Sequence, residues 1–398
     1  MRIGMMVDVY KPHVSGITHY ISLNKKFLEQ AGHEVFIFTF GDLDYPDDET
    51  NVIRSPGLPF VDTGYYLNFR YNRKAKALLL TMDLVHVNHP FLSGRLALRY
   101  CRPLHIPIVF TNHTRYDLYA QAYMPLLPEE ISDSFLQSYM PPFCAAVDLV
   151  IAPSPGMADV LRSLGVTSPI EVIPNGVELV RYQQTCEDCR GAFGFTSEDI
   201  LLVYSGRLGP EKNVYFLMRA FAGVAETVSK VHLLVIGGGP EEESLKKLAN
   251  QLGLMDSIHF LGMIQYELMP QYLAMCDIFV TASVTEVHPL SVIEAMASGL
   301  PALGIHSVGV GDTVMDGKTG FLASQNQAAF AAKLTRLCLD RSLRQRMGNA
   351  ARKTSEKYAI ERTIQVMLFH YERLILETRS HRRSLRSRLR TLLENLHT

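Results

Sequence analysis

A chain of 398 residues, 47% of them hydrophobic, is long enough for two domains, each with its own core. Its net charge of −1 argues against a general nucleic-acid binder. Six scattered cysteines are too few for a disulfide scaffold, and the lone Cys186-x-x-Cys189, lacking a second pair or a nearby histidine, reads as incidental rather than as a zinc or redox site.

Asp8 interrupts the short apolar run at the N-terminus, which is too short for a signal peptide, and no apolar stretch reaches the roughly 20 residues that span a bilayer. The expectation is a soluble or membrane-peripheral protein in a reducing compartment, by default the cytoplasm. Short β-branched runs then alternate with amphipathic stretches. Residues 3–7, 35–40, 84–87, 108–111 and 149–152 read as strands of one sheet, and 200–205, 232–236, 258–261, 278–281 and 301–305 as strands of a second. Apolar runs separated by helices predict parallel sheets covered on both faces, hence an α/β protein of two Rossmann-like domains. Residues 173–176 (Ile-Pro-Asn-Gly) read as the linker between them.

Gly16 lies where the first strand turns into a helix, and a glycine there lets a ligand approach the backbone closely. Asp42-x-Asp44 has a metal-ligand look, but the proline and acids around it read as a solvated loop. Residues 57–76 interleave Phe60, Tyr65, Tyr66, Phe69 and Tyr71 with Arg70, Arg73, Lys74 and Lys76. That pattern suits a membrane interface best, with single-stranded nucleic acid and a packed helix edge as the alternatives. His113 follows a buried strand, where α/β sites open, and precedes Thr114-Arg115-Tyr116.

In the second half, Arg207 and Lys212 sit just past a strand, where two cations neutralise a diphosphate without a metal. Gly237-Gly238-Gly239-Pro240 opens the next helix but lacks the G-x-G-x-x-G of a nicotinamide site. Within residues 280–304 a strand runs into a loop carrying Glu286, and a helix begins near Leu290 and Ser291 and contains Glu294. The free N–H groups of such a helix start attract phosphate. Carboxylates on either side of it accept hydrogen bonds from hydroxyls, so the arrangement suits a nucleotide-sugar.

Glu286, Glu294 and the following AMASGLP resemble the Glu–seven residues–Glu signature of retaining GT-B glycosyltransferases, family 4 in particular, although Pro289 stands where that family usually has glycine. The resemblance covers nearly the whole chain. It implies that Glu286 holds the donor sugar and Glu294 the ribose, that Arg207 and Lys212, matching Gly-Arg-x-x-x-x-Lys, hold the diphosphate, and that Gly16 faces donor phosphate and sugar. Backbone groups near Met263 would read the base. His113 with Tyr116 is similar to the His-Thr-x-Tyr stretch of members that glycosylate diacylglycerol, where the histidine lies close to the reacting carbon. Arg115 and Tyr116 join Tyr65, Tyr66, Arg70, Arg73 and Lys74 as acceptor or membrane contacts.

The expected layout is an acceptor domain over 1–173, a donor domain over 174–355, a helix over 356–377 crossing back to the first domain, and a basic amphipathic tail over 378–398. In the tail Leu385, Leu389, Leu392 and Leu396 form a stripe flanked by Arg379, Arg382, Arg383, Arg386 and Arg390, which suits an anionic membrane, a partner helix or plain solvation. The activity implied is hexosyl transfer from UDP-glucose to a lipid such as diacylglycerol, on the inner face of the cell membrane. A UDP-sugar is the co-substrate, no cofactor or protein metal site is needed, and any stimulation by divalent cations arises without such a site. A soluble-acceptor transferase, an epimerase on the same fold and a non-catalytic nucleotide-sugar-binding subunit are the alternatives.

Overall fold

The computed structural model describes residues 1–60, 65–123, 128–183 and 189–395; Cys186 lies outside them. Nine strands fall in the first half: β1 (Arg2–Met6), β2 (Glu34–Phe40), β3 (Val52–Ser55), β4 (Leu58–Phe60), β5 (Tyr65–Leu67), β6 (Leu84–Val87), β7 (Ile108–Thr111), β8 (Leu149–Ala152) and β9 (Ile170–Val172). Six follow: β10 (Ile200–Ser205), β11 (Val231–Ile236), β12 (Ile258–Gly262), β13 (Ile278–Thr281), β14 (Ala302–Ile305) and β15 (Gly320–Ala323). The first set builds a parallel sheet in the order β3-β2-β1-β6-β7-β8-β9, with β4 and β5 as a separate antiparallel hairpin; the second builds a parallel sheet β12-β11-β10-β13-β14-β15.

Both sheets are buried on both faces, because their strands carry apolar side chains at consecutive positions. In β7, Ile108 and Phe110 enter one hydrophobic layer while Val109 enters the other. In β10, Leu202 and Tyr204 face one layer, and Leu201 and Val203 the other. Every strand expected from the sequence is present within one residue at each end. The unread strands of the two parallel sheets, β3, β9 and β15, lie at sheet edges and carry residues that interrupt an apolar run, Arg54, Glu171 and Gly320; the hairpin strands β4 and β5 went unread as well.

Strand order reverses between β1 and β6 in the first sheet and between β10 and β13 in the second. At such a switch point the flanking loops diverge and leave a crevice beyond the carboxyl ends of the strands. The loops after β1, β6, β10 and β13 are therefore the ones placed to bind a ligand.

The chain passes between the halves twice, and the two passages touch. Val177 N–H donates to Tyr358 O at 2.8 Å, and Ile360 N–H donates to Val177 O at 3.0 Å. A Cβ on Gly176 would lie 2.6 Å from the Ile360 backbone, so glycine is required for that approach. The final helix, Ile360–Asn395, lays Ile364, Met367, Tyr371 and Leu374 into the core layer of Ile3, Val35 and Leu84. Its Tyr371 hydroxyl lies 2.6 Å from Nδ1 of the buried His86. The crossing segment and the basic tail form one helix: with neither glycine nor proline from 360 to 395, it runs on uninterrupted. Among the described residues no helix is long and apolar enough to cross a membrane.

Candidate functional site

The loop after β10 is pinned from below by glycines. A Cβ on Gly237, whose φ is +130°, would collide with the backbone of Gly206, so only glycine lets the two turns meet. Leu208 N–H donates to Gly238 O at 3.0 Å and Glu241 N–H donates back to Leu208 O at 3.0 Å. The loop thus fixed carries Arg207, Glu211 and Lys212. Lys212 Nζ donates to Glu286 Oε1 at 2.6 Å. Burial disfavours both charges, but each partner outweighs it: Lys212 is held above the ordinary lysine range and Glu286 below the ordinary carboxylate range. Sequence reading assigned the ammonium to phosphate and the carboxylate to sugar; the structure joins them in one ion pair.

Glu286 is itself fixed by the helix Val308–Thr313 that follows β14. Gly309 N–H donates to Glu286 O at 3.0 Å, and a Cβ on Gly309 would lie 2.5 Å from that oxygen. Beyond it the helix Leu290–Ala297 starts at Pro289, which has φ −73° and ψ 113° and provides no side-chain cap. Proline fits because an N–H at this position is outside the helix ladder in any case. The opening N–H groups of Leu290 and Ser291 are therefore left without a capping side chain.

Glu294, one turn further, is only 5% exposed. Burial pushes its carboxyl up to about 7, against the hydrogen bonds of Tyr266 and Tyr182 and the charge of Arg181. The Tyr266 hydroxyl donates to Glu294 Oε1 at 3.1 Å and receives the Tyr182 hydroxyl at 2.8 Å. His19, from the helix Gly16–Gln30 of the first half, closes this cluster with its ring 3.9 Å from that of Tyr266 and Nε2 4.0 Å from Glu294 Oε1. Burial, then Arg181 and Lys11, pushes His19 down to about 4, so the imidazole facing Glu294 is neutral near pH 7.

The first-half wall is built from the loops after β1, β6 and β7. His113 Nε2 lies 3.1 Å from Asn88 Oδ1 and its ring 4.5 Å from Tyr20. Burial, followed by repulsion from His86 and His89, holds His113 well below the ordinary histidine range. Asp8 anchors the β6 side, accepting the N–H of Ser93 at 2.7 Å and so capping the start of the helix Leu92–Tyr100. The acidic stretch after β2 is not simply solvated. Asp47 holds Arg54 at 2.6 Å, Asp48 holds Lys11 at 2.9 Å and Glu49 also pairs with Lys11, tying the loop after β1 in place.

The two walls are in contact. Tyr123 donates to Glu211 Oε2 at 2.7 Å, and the Arg207 guanidinium lies over the Tyr123 ring, 5.8 Å from its centre. Asp312 accepts the Gly156 N–H at 2.8 Å, and Val287 packs into the first half's core layer. Burial and then Arg207 lower His13, which stands in the loop after β1. Arg207, Lys212, Glu286, Leu290, Ser291 and Glu294 thus all follow strands at the carboxyl end of the second sheet, with His19 against Glu294 and His13 of the loop after β1 near Arg207.

Gly16 opens its helix with nothing within 4 Å of a built Cβ, so the fold itself does not require glycine there. Ser15 caps that helix in a capping box with Thr18. Met263 is 61% exposed beside Gly238. Arg70, Arg73 and Lys74 are exposed and Tyr66 is half-buried, but Tyr71 is buried and stacks on Phe40 at 5.2 Å, so residues 57–76 divide between surface and core. Arg115 and Tyr116 do not face outward: Arg115 grips Asp117 at 2.5 Å, and Tyr116 packs edge-on against Phe91 at 5.0 Å. The side chains of Tyr65, Arg382, Arg383 and Arg386 lie outside the described residues. His19, Tyr123, Glu211 and Tyr266 were not singled out from sequence; Glu211 alone had a local signal, its place between Arg207 and Lys212. Among the described residues no group of three or more histidine, cysteine, aspartate or glutamate side chains could hold a metal ion.

Two family profiles match the chain, "Glycosyltransferase Family 4" over residues 14–181 and "Glycosyl transferases group 1" over residues 187–354. An alpha-monoglucosyldiacylglycerol synthase of Streptococcus pneumoniae is 34% identical over 314 residues, covering 76% of this chain and 70% of that protein. Another of the same name from Acholeplasma laidlawii is 27% identical over 343 residues, 82% of this chain and 86% of that protein. In fold, sucrose-phosphate synthase from Thermosynechococcus elongatus superposes with a TM-score of 0.79 at 21% identity, covering 94% of this chain and 99% of that one.

Proposed function

We propose, from the premise that this chain belongs to glycosyltransferase family 4 and shares its GT-B fold, that it transfers a hexose from a nucleotide diphosphate sugar, UDP-glucose first among them, to the hydroxyl of a membrane lipid such as diacylglycerol, with retention at the anomeric carbon. The observation that carries the donor half is the gathering of Arg207, the Lys212–Glu286 pair and the open start of the helix Leu290–Ala297 at one switch point. The lipid half rests on the two relatives named for diacylglycerol products.

The donor diphosphate lies between the Arg207 and Lys212 cations and the N–H groups of Leu290 and Ser291. Glu286, its charge already offset by Lys212, accepts hydrogen bonds from the sugar, and Glu294 meets the ribose. The bond from the anomeric carbon to the β-phosphate oxygen breaks, and one to the acceptor oxygen forms on the same face. The acceptor proton passes to a phosphate oxygen of the leaving diphosphate. The protein's largest contribution is to stabilise the negative charge that grows on that group. His113, kept neutral by burial, places an uncharged dipole beside the electron-poor sugar.

Incubation with labelled UDP-glucose and vesicles containing diacylglycerol tests the reading: a labelled lipid with the α-anomeric signal is expected. Label appearing only in water-soluble products would reject the lipid acceptor, and a β-anomer would reject retention.

A further inference from the structure

The donor loop and the loop after β13 together carry two cations, Arg207 and Lys212, and two carboxylates, Glu211 and Glu286. Lys212 and Glu286 are paired. Were Arg207 and Glu211 paired as well, the crevice would offer a diphosphate no unengaged positive side chain on these loops. They are not: among the described residues Arg207 makes no ion pair. What stands between them is Tyr123, the last residue of the helix Tyr116–Tyr123 in the other half of the molecule. Its hydroxyl donates to Glu211 Oε2 at 2.7 Å, and its ring carries the Arg207 guanidinium 5.8 Å from the centre. Tyr119, one turn earlier, stacks on Tyr123 at 5.6 Å and 23° and sets the plane of the ring.

We infer that Tyr123 is a positioning residue: it keeps Glu211 occupied and Arg207 unpaired, so that the guanidinium remains available to a nucleotide diphosphate. Two properties of the surroundings make the separation matter. Glu211 is 2% exposed and its Oε1 has no hydrogen-bond partner among the described residues, so the carboxylate gains strongly from any donor that reaches it. Of the two cations on this loop Lys212 is already paired with Glu286, whereas Arg207, which acts on the same Tyr123 hydroxyl as Glu211, has no carboxylate partner among the described residues, and a bidentate Arg–Glu pair competes directly with Arg–phosphate recognition. The ring face meanwhile holds the guanidinium without consuming its N–H donors, which a carboxylate would. Because Tyr123 belongs to the first half, this arrangement forms only when the two walls are together, and phosphate affinity is thereby tied to closure. The inference rests on the donor reading above.

The test uses UDP itself, titrated calorimetrically into the full chain and three variants, with Tm recorded for each. Tyr123→Phe keeps the ring and removes the hydroxyl; its Kd for UDP should rise about tenfold at unchanged Tm. Tyr123→Phe combined with Glu211→Gln should return to within about twofold of the wild type, because an amide offers Arg207 no charge. Tyr123→Ala, which also loses the ring, should bind UDP more weakly than Tyr123→Phe. Wild-type affinity in Tyr123→Phe, or a double variant no tighter than Tyr123→Phe alone, would overturn the role given to Tyr123 while leaving the donor reading intact. If the wild type itself does not bind UDP, both the donor reading and this inference fall.

Discussion

On the second-sheet side of the crevice the polar groups are full charges, Lys212 against Glu286 and Arg207 beside Tyr123, whereas the first-sheet side presents imidazoles that burial keeps neutral. His86 is pushed down to about 3 and His113 lies well below the ordinary range. The difference follows from how each wall is held. The charged wall is built on loops that meet partners across the crevice: Lys212 and Glu286 offset each other's desolvation, while Arg207 and Glu211 meet Tyr123 instead of a counter-charge. The histidine wall sits directly on buried strand ends, where His86 exchanges hydrogen bonds with Thr111 and Tyr371 and, among the described residues, no carboxylate pairs with it. One wall is suited to a group that gains negative charge; the other to a sugar and an uncharged hydroxyl.

Lys212→Ala breaks the comparison most severely. It removes a phosphate cation and strands Glu286, so turnover should fall at least about tenfold and more than for any other single change here, with a loss of Tm as well. Normal rates would remove Lys212 from the site. His113→Ala tests the neutral wall: turnover should fall about tenfold, and the wild-type pH–rate profile between pH 6 and 8 should contain no limb that this variant abolishes. A lost limb would mean that the imidazole is charged in action. Arg70→Ala, on the exposed basic segment, should weaken binding to anionic vesicles about fivefold at low salt without changing the rate on detergent-dispersed lipid. Unchanged vesicle binding would take that segment out of the membrane contact.

The smallest effect sharpens the contrast at Glu294, an acid of the charged wall that burial holds toward its neutral form. Its folded value of about 7 lies above the ordinary 4.5, so its contribution to stability is full below about 4.5 and is lost as pH rises through 7. Glu294→Gln has no such loss, so its Tm relative to wild type should climb by a few degrees between pH 4.5 and 7. His19 runs the other way: its value is depressed to about 4, so its contribution is present above 6.5 and lost as pH falls toward 4. A flat difference in Tm would show that Glu294 is not held in its protonated form.

The central strands were legible because apolar side chains at consecutive positions signal burial on both faces; β3, β9 and β15 were not, because an edge strand tolerates residues such as Arg54 and Glu171. Arg207, Lys212, Glu286 and Glu294 could be gathered in advance since each lies just past a strand and their spacing is local. His19 and Tyr123 could not. Tyr123 meets a carboxylate 88 residues later in the chain, and no period in the sequence links a helix of one half to a loop of the other. For Arg115, named beside His113 as an acceptor or membrane contact, nothing in the sequence signalled its pairing with Asp117.

The paired passages at Val177 and Tyr358–Ile360 make the connection between the halves a ribbon rather than a single thread. A ribbon bends easily across its flat face and resists both twist and sideways shear. Any change in the angle between the halves must therefore be taken up at residues 174–177 and 358–360, where the chain passes between them. The alignment of Tyr123 with Glu211 and Arg207 thus depends on two short stretches of backbone far from them in sequence.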